Sequence, residues 1–210
     1  MIVAIEAAST DLSLAIADPH GGIVAEDAWT SPRRQSAELL PRLLALLERD
    51  GIGLGAVTGI GVGSGPGSFT GLRVAMSLAK GLAVGLRRPL VAVPSLVAWL
   101  DADPAAQVAI ARAGARDAYV QARGGDALIV DRDALAERLD GMTVVAPAEL
   151  ADAFGIERAS RPRGAVAIAR ATADRLAADP AGDDPRTVEP IYLRAPRGAA
   201  AESEGEVQWL

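Results

Sequence analysis

The stretch from Gly61 to Gly85 constrains the fold more than any other part of the chain. It reads Gly-Val-Gly-Ser-Gly-Pro-Gly-Ser-Phe-Thr-Gly-Leu-Arg-Val-Ala-Met-Ser-Leu-Ala-Lys-Gly-Leu-Ala-Val-Gly. Its pattern predicts a strand over 57–62, a glycine loop over 63–69 and a helix over 70–86. Gly65 and Gly67, with Pro66 between them, supply backbone angles that other residues resist. Ser68 or Thr70 is placed to cap the helix. Arg73 then falls in the first turn, where the helix dipole disfavours a positive side chain. An anion at the loop would offset that mismatch, and so would a nearby carboxylate. Gly65, Gly67, Ser68, Thr70 and Arg73 are therefore the candidate anion or nucleotide loop. Two known phosphate patterns fail on spacing. Lys80 follows Ala79, where a Walker A lysine follows glycine. The sixth position of a dinucleotide fingerprint is Ser68 counted from Gly63 and Thr70 counted from Gly65, not glycine. A tight turn that lets strand and helix pack closely explains the glycines as well.

Composition narrows the chemistry. Half of the 210 residues are hydrophobic and 3 % are aromatic, so the core is built of Ala, Val, Leu and Ile. That length suits one large domain or two small lobes. The absence of cysteine excludes disulfides, thiolate metal sites and a cysteine nucleophile. The single histidine, His20, sits in the turn Asp18-Pro19-His20-Gly21-Gly22. A zinc site or a Ser-His-Asp triad would have to use it, so no metal, cofactor or catalytic residue is expected. A net charge of −6 argues against autonomous binding to nucleic acid. We expect no membrane span, because no apolar run reaches ~18 residues. Met-Ile-Val-Ala-Ile-Glu enters a strand without a basic leader, so the expected location is the cytoplasm.

The order of elements appears twice. Strands are predicted over 2–6, 12–17 and 23–29, a helix over 36–50, a strand over 57–62, the helix over 70–86 and a strand over 90–93, with a short helix ending near 100. The second half gives strands over 107–112, 117–123 and 127–130, then a helix (133–139), a strand (143–145) and helices (147–154 and 165–178). A strand, turn and strand with an acid ending the first strand resembles the start of actin, sugar-kinase and Hsp70 proteins. The expected fold class is α/β, with two ribonuclease-H-like lobes of which the second is reduced. The expected division is 1–100, 101–188, and a closing segment over 189–210 that packs back on the body, with 198–205 mobile.

Two helices stand out. In the first, Leu39, Leu40, Leu43, Leu44, Leu46 and Leu47 fill an arc of about 160°, wider than the ~100° needed to pack on one sheet. Deep burial accounts for that width, and so does contact with a second protein. In the helix from Thr70, Gly71, Ala75, Ala79 and Ala83 make a row of small residues that admits a close helix neighbour, beside the apolar row Val74, Leu78 and Leu82.

Gly-Pro-Gly-Ser-Phe-Thr-Gly-Leu-Arg over 65–73, followed by Ala-Lys-Gly-Leu-Ala over 79–83, resembles the signature of the TsaB (YeaZ) family. Weaker likenesses cover most of the chain. Glu6 stands where the family has Asp, and the turn Ala7-Ala8-Ser9-Thr10 lacks glycine. Gln35 stands where a His is frequent. Ala113, Asp117 and Tyr119 fit a family motif from which Arg112, Gly114 and Ala115 depart. Glu189-Pro190-Ile191-Tyr192-Leu193-Arg194 resembles the closing motif. The resemblance implies a non-catalytic subunit in tRNA threonylcarbamoyladenosine synthesis. Its partner surface would be Leu40, Leu43, Leu44, Leu47, Gly71, Val74, Ala75, Leu78, Ala79 and Leu82. It would dock on a TsaD-like catalytic subunit, meet a TsaE-like ATPase through that complex, touch tRNA only indirectly and form a homodimer when alone. The competing reading is an ATP-dependent kinase or ATPase of the same superfamily.

Overall fold

The computed structural model describes residues 1–156 and 158–193. Strands β1 (Ile2–Glu6), β2 (Asp11–Ala17) and β3 (Ile23–Thr30) form an antiparallel meander. Helix α1 (Gln35–Arg49) crosses to β4 (Gly59–Gly63), which lies parallel to β1 with Val62 opposite Ile5. Helix α2 (Phe69–Leu86) crosses to β5 (Leu90–Val93), and α3 (Ser95–Ala102) closes the unit. The sheet order is β3-β2-β1-β4-β5.

The second half builds the same thing again. β6 (Val108–Arg112), β7 (Asp117–Ala122) and β8 (Ala127–Asp131) form a meander. Then follow α4 (Arg132–Leu139), β9 (Val144–Val145), α5 (Ala148–Phe154), β10 (Ala159–Ser160) and α6 (Ala165–Ala178). The order β8-β7-β6-β9-β10 is that of the first sheet, with its two parallel strands cut to two residues each. This is the duplicated ribonuclease-H-like α/β architecture expected from the element order, its second lobe reduced.

Strands β1, β2 and β4 are buried along their whole length and are mostly apolar or glycine, with Glu6, Asp11 and Ser13 as their buried polar residues. The edge strand β3 alternates instead. On one face of the first sheet, Val3, Ile5, Leu14 and Val62 pack with Leu39 and Leu43 of α1 and Ala75 and Ala79 of α2. On the other face, Ile2, Ala4 and Ala15 meet Ala165, Ile168 and Ala169 of α6, a helix from the far end of the sequence. The alternate glycines of β4 make room for it. A methyl group on Gly61 would collide with Thr172, and one on Gly59 with Leu176. In return, Leu96, Trp99 and Leu100 of α3 pack with Ala109, Ala111 and Tyr119 of the second sheet. Each unit thus lends its last helix to the other. The division at 100/101 runs through α3, and α6 lies on the first sheet.

The chain after α6 runs beside β5, and the closing segment reaches the glycine loop. The Asp183 N–H donates to the Leu90 carbonyl at 2.7 Å, and the Ile191 N–H donates to the Ser64 carbonyl at 2.7 Å. Arg194 and the expected mobile stretch over 198–205 lie outside the described residues.

One expectation needs correcting. Helix α2 is 18 residues long with a mean hydropathy of 1.3, so it meets the length and composition of a membrane span. The apolar count from sequence missed this because Arg73 and Lys80 interrupt the run. A core helix passes the same test, and α2 packs along one side of β1, β4 and β5.

Candidate functional site

The glycine loop is closed from within. Ser68 is the helix cap, its Oγ accepting from the Gly71 N–H at 3.3 Å, and Thr70 lies inside the first turn. Gly65 has φ +94°, in the left-handed region that glycine tolerates. Its N–H donates to Ser95 Oγ at 3.0 Å. The Ser68 N–H donates to the Ala8 carbonyl at 2.7 Å. A methyl group on Gly67 would strike the Ala8 carbonyl, and one on Gly71 the Ala7 carbonyl. The glycines therefore let this loop and the Ala7–Ala8 turn touch backbone to backbone. The N–H groups of Gly65, Ser68 and Gly71 are spent on that closure and on the cap, not offered to an anion.

Arg73 is held by aromatic partners. Its guanidinium lies 3.9 Å from the centre of the Phe69 ring, and its Nε donates to the Tyr192 hydroxyl at 3.2 Å. The ring face supplies the negative potential that a carboxylate or a phosphate was expected to supply. Phe69 and Tyr192 stack at a tilt, 5.5 Å between centres. Sequence reasoning named Arg73 but neither aromatic partner: Tyr192 is 119 residues away, whereas the i,i+4 spacing of Phe69 on the same helix was a signal that could have found it.

Glu6 ends β1 and turns inward. It is 1 % exposed, and its carboxyl fills the space that a side chain at Gly63 would need. Oε1 accepts from the Ala8 N–H at 2.6 Å. The Ser95 hydroxyl and the Trp99 indole N–H lie close to the carboxyl, but neither reaches Oε2 in hydrogen-bond geometry. Burial pushes the carboxyl up to about 7, against the smaller opposing pull of Ala8, Ser95, Ala7 and Trp99. A carboxyl so placed braces β1 against β4, α3 and α6, and it does not reach the cleft.

Between the lobes lies a cavity of about 570 Å³. From the loop it takes Gly67, Ser68, Phe69 and Thr70, but neither Gly65 nor Arg73. The far wall carries Arg112 and Glu149, which form an open ion pair at 3.7 Å. Among the described residues no group of three His, Asp or Glu side chains is arranged to hold a metal ion.

The α1–α2 face divides in two. Leu43, Leu47, Gly71, Ala75 and Ala79 are buried in the monomer, with Ala75 and Ala79 at 0 % exposure, so they cannot be contact residues. The small-residue row admits the first sheet and the Ala7 carbonyl rather than a partner helix. The sequence could not show which side of α2 met the sheet, because both rows are apolar. Leu40 and Leu44 remain 40 % and 41 % exposed, and Val74, Leu78 and Leu82 are half-buried beside them. A shallow groove of about 400 Å³ between the helices is lined by Ser36, Leu40, Arg73, Val74, Ser77 and Leu78. The opposite edge of α1 is tied to β3. There Arg42 pairs with Asp27 at 2.9 Å and lies over Trp29, which donates to Glu38 at 2.9 Å.

Comparison with known proteins places this geometry in context. A family model described as TsaD, tRNA N6-adenosine threonylcarbamoyltransferase, matches residues 5–178. The chain is 32 % identical over 96 residues to the tRNA threonylcarbamoyladenosine biosynthesis protein TsaB of Escherichia coli K12, which covers 46 % of this chain and 41 % of that protein. It is 39 % identical over 70 residues to the TsaB protein of Haemophilus influenzae, covering 33 % and 30 %. The matches thus span less than half the length of these relatives. The solved structure of YeaZ from Pseudomonas aeruginosa aligns with a TM-score of 0.67 at 24 % identity, over 91 % of this chain and 99 % of that one. A second structure, described as similar to peptidase YEAZ and from the same organism, aligns at 0.68 and 24 %, over 92 % and 99 %. At that identity these two show a shared fold.

Proposed function

The chain belongs to the TsaD family, in its TsaB (YeaZ) branch, and from that premise we propose that it is a non-catalytic subunit in tRNA threonylcarbamoyladenosine synthesis. It binds a TsaD-like catalytic subunit in the cytoplasm. A TsaE-like ATPase joins through that complex, and tRNA is met only indirectly. In isolation a second copy of the chain takes the same surface.

The observation that carries this reading is the strip Leu40, Leu44, Val74, Leu78 and Leu82. It is an apolar face left open on two adjacent helices of a chain that is otherwise acidic. A contiguous patch of this kind marks a contact with another protein. ATP-dependent phosphotransfer, the other reading of the fold, would need the acid at the end of β1 to face the cleft, and Glu6 is buried away from it.

The test is co-expression with the TsaD-family subunit followed by size exclusion. Leu40→Glu combined with Leu44→Glu places two carboxylates in the contact and should abolish co-elution, since central apolar anchors are each worth ~2 kcal/mol or more. Both positions face solvent in the monomer, so the fold, followed by circular dichroism, should be unchanged. Co-elution of the double variant at the wild-type level would remove the proposal.

A further inference from the structure

The fold delivers the end of its described chain to the edge of the α1–α2 strip. The Tyr192 hydroxyl accepts from Arg73 Nε at 3.2 Å. The same Arg73 lines the shallow groove between the helices, together with Leu40, Val74 and Leu78. The chain therefore reaches Leu193, itself 40 % exposed, beside the residue that heads the groove. Residues 194–210 lie outside the described residues. Their sequence is Arg-Ala-Pro-Arg-Gly-Ala-Ala-Ala-Glu-Ser-Glu-Gly-Glu-Val-Gln-Trp-Leu.

That sequence changes character along its length. From 198 onward it holds Glu202, Glu204 and Glu206 and no cation. Helix α2 is the reverse: its charged residues are Arg73 and Lys80, and it has no acid. After Glu206 come Val207, Trp209 and Leu210, side chains whose burial is favourable and for which a purely solvating segment has no use. Trp209 is one of three tryptophans. The other two are packed: Trp99 is fully buried, and Trp29 lies on the first core and donates to Glu38 of α1.

We propose that residues 206–210 dock on the α1–α2 strip of their own chain, with Val207 and Trp209 against Leu40, Val74 and Leu78 and the three carboxylates drawn to the cations of α2. Glu206 and Gln208 alternate with Val207 and Trp209, so an extended backbone turns the two apolar side chains to one side. Reach is ample. The thirteen residues 194–206 can span up to ~43 Å, and the strip from Val74 to Leu82 is ~12 Å long. The groove of about 400 Å³ falls within the ~300–1,000 Å³ range of pockets that enclose a group of this size. A tether this short holds the segment at an effective concentration on the order of 1 mM. If the segment alone binds at ~0.1 mM, the covered form outnumbers the open form about tenfold, and a partner of the strip loses affinity by about that factor. The segment is then a competitor built into the chain. That consequence rests on the partner reading above; the docking itself does not.

The test labels the full chain with 5-fluorotryptophan, and Trp209→Phe assigns the Trp209 signal in the fluorine NMR spectrum. At concentrations where the chain is monomeric, that signal should differ from the one given by a synthetic peptide of residues 202–210. Leu40→Glu combined with Leu44→Glu should return it to the peptide position, with circular dichroism unchanged. Trp209→Ser should tighten self-association and binding of the TsaD-family subunit by about tenfold. The proposal is overturned if wild-type Trp209 resonates as the peptide does, if the strip variant leaves its signal in place, or if Trp209→Ser leaves both associations as they were. It is also overturned if the displacement of the signal vanishes on dilution, which would assign the contact to a second copy. A subunit that co-elutes with neither wild type nor Trp209→Ser would remove the partner reading instead, and the fluorine signal and self-association would still decide the docking.

Discussion

Replacing Glu6 by Gln should change how stability depends on pH. The carboxyl is fully buried, and it titrates at about 7 in the folded protein against 4.5 for the free group. The folded state therefore holds this proton more tightly than the unfolded chain does. The resulting stabilisation is complete below pH 4.5 and is lost as pH rises to about 7. At ~1.4 kcal/mol per unit the displacement corresponds to about 3 kcal/mol. Glutamine keeps the acceptor for the Ala8 N–H but cannot ionise. Its amide N–H₂ would face the place where Oε2 has no partner, a pH-independent cost of ~1–3 kcal/mol. The quantity to compare is thus the difference between wild type and Glu6→Gln across a pH series. It should move in favour of the variant by about 3 kcal/mol between pH 4.5 and pH above 7, or on the order of 10 °C in melting temperature for a chain of this size. Scanning calorimetry of both proteins in the same buffers measures it. The N-terminal amine, held below its ordinary 8.0 by partial burial, bends the absolute curves the other way, but it cancels in the difference. A difference that stays flat across the window would refute the reasoning, because it would mean that Glu6 ionises in the folded protein as easily as in the unfolded chain.

Two further substitutions test the loop and the end of α2. Gly71→Ala drives a methyl group into the Ala7 carbonyl. It should cost about 1–3 kcal/mol or more in thermal unfolding, and an unchanged melt would mean that the two turns are not in backbone contact. Arg87 caps α2 with φ 55°, in the left-handed region. Arg87→Gly should stabilise by about 1 kcal/mol, and a lowered melting temperature would show that the arginine side chain contributes more than its backbone strain costs.

The sequence alone was enough for the doubled element order and for the turn at Gly65 to Gly67. Hydrophobic period and glycine placement are local properties, and they survive in a one-dimensional reading. The cap was narrowed to Ser68 or Thr70 for the same reason, and the structure takes Ser68. The α1–α2 face was legible only as a pair of apolar helices. Their spacing states that two rows are greasy, but not which row the sheet takes. Burial of Ala75 and Ala79 and exposure of Leu40 and Leu44 follow from where β1 and β4 stand. Likewise the acid at the end of β1 was visible, but its inward turn depends on the space left by Gly63, which its Oε2 fills. The hydrogen bond of Arg73 to Tyr192, the lodging of α6 on the glycines of β4, and the approach of Arg112 to Glu149 across the cavity all join residues far apart in sequence. Contacts of that kind are set by chain closure, and no window along the sequence contains both partners.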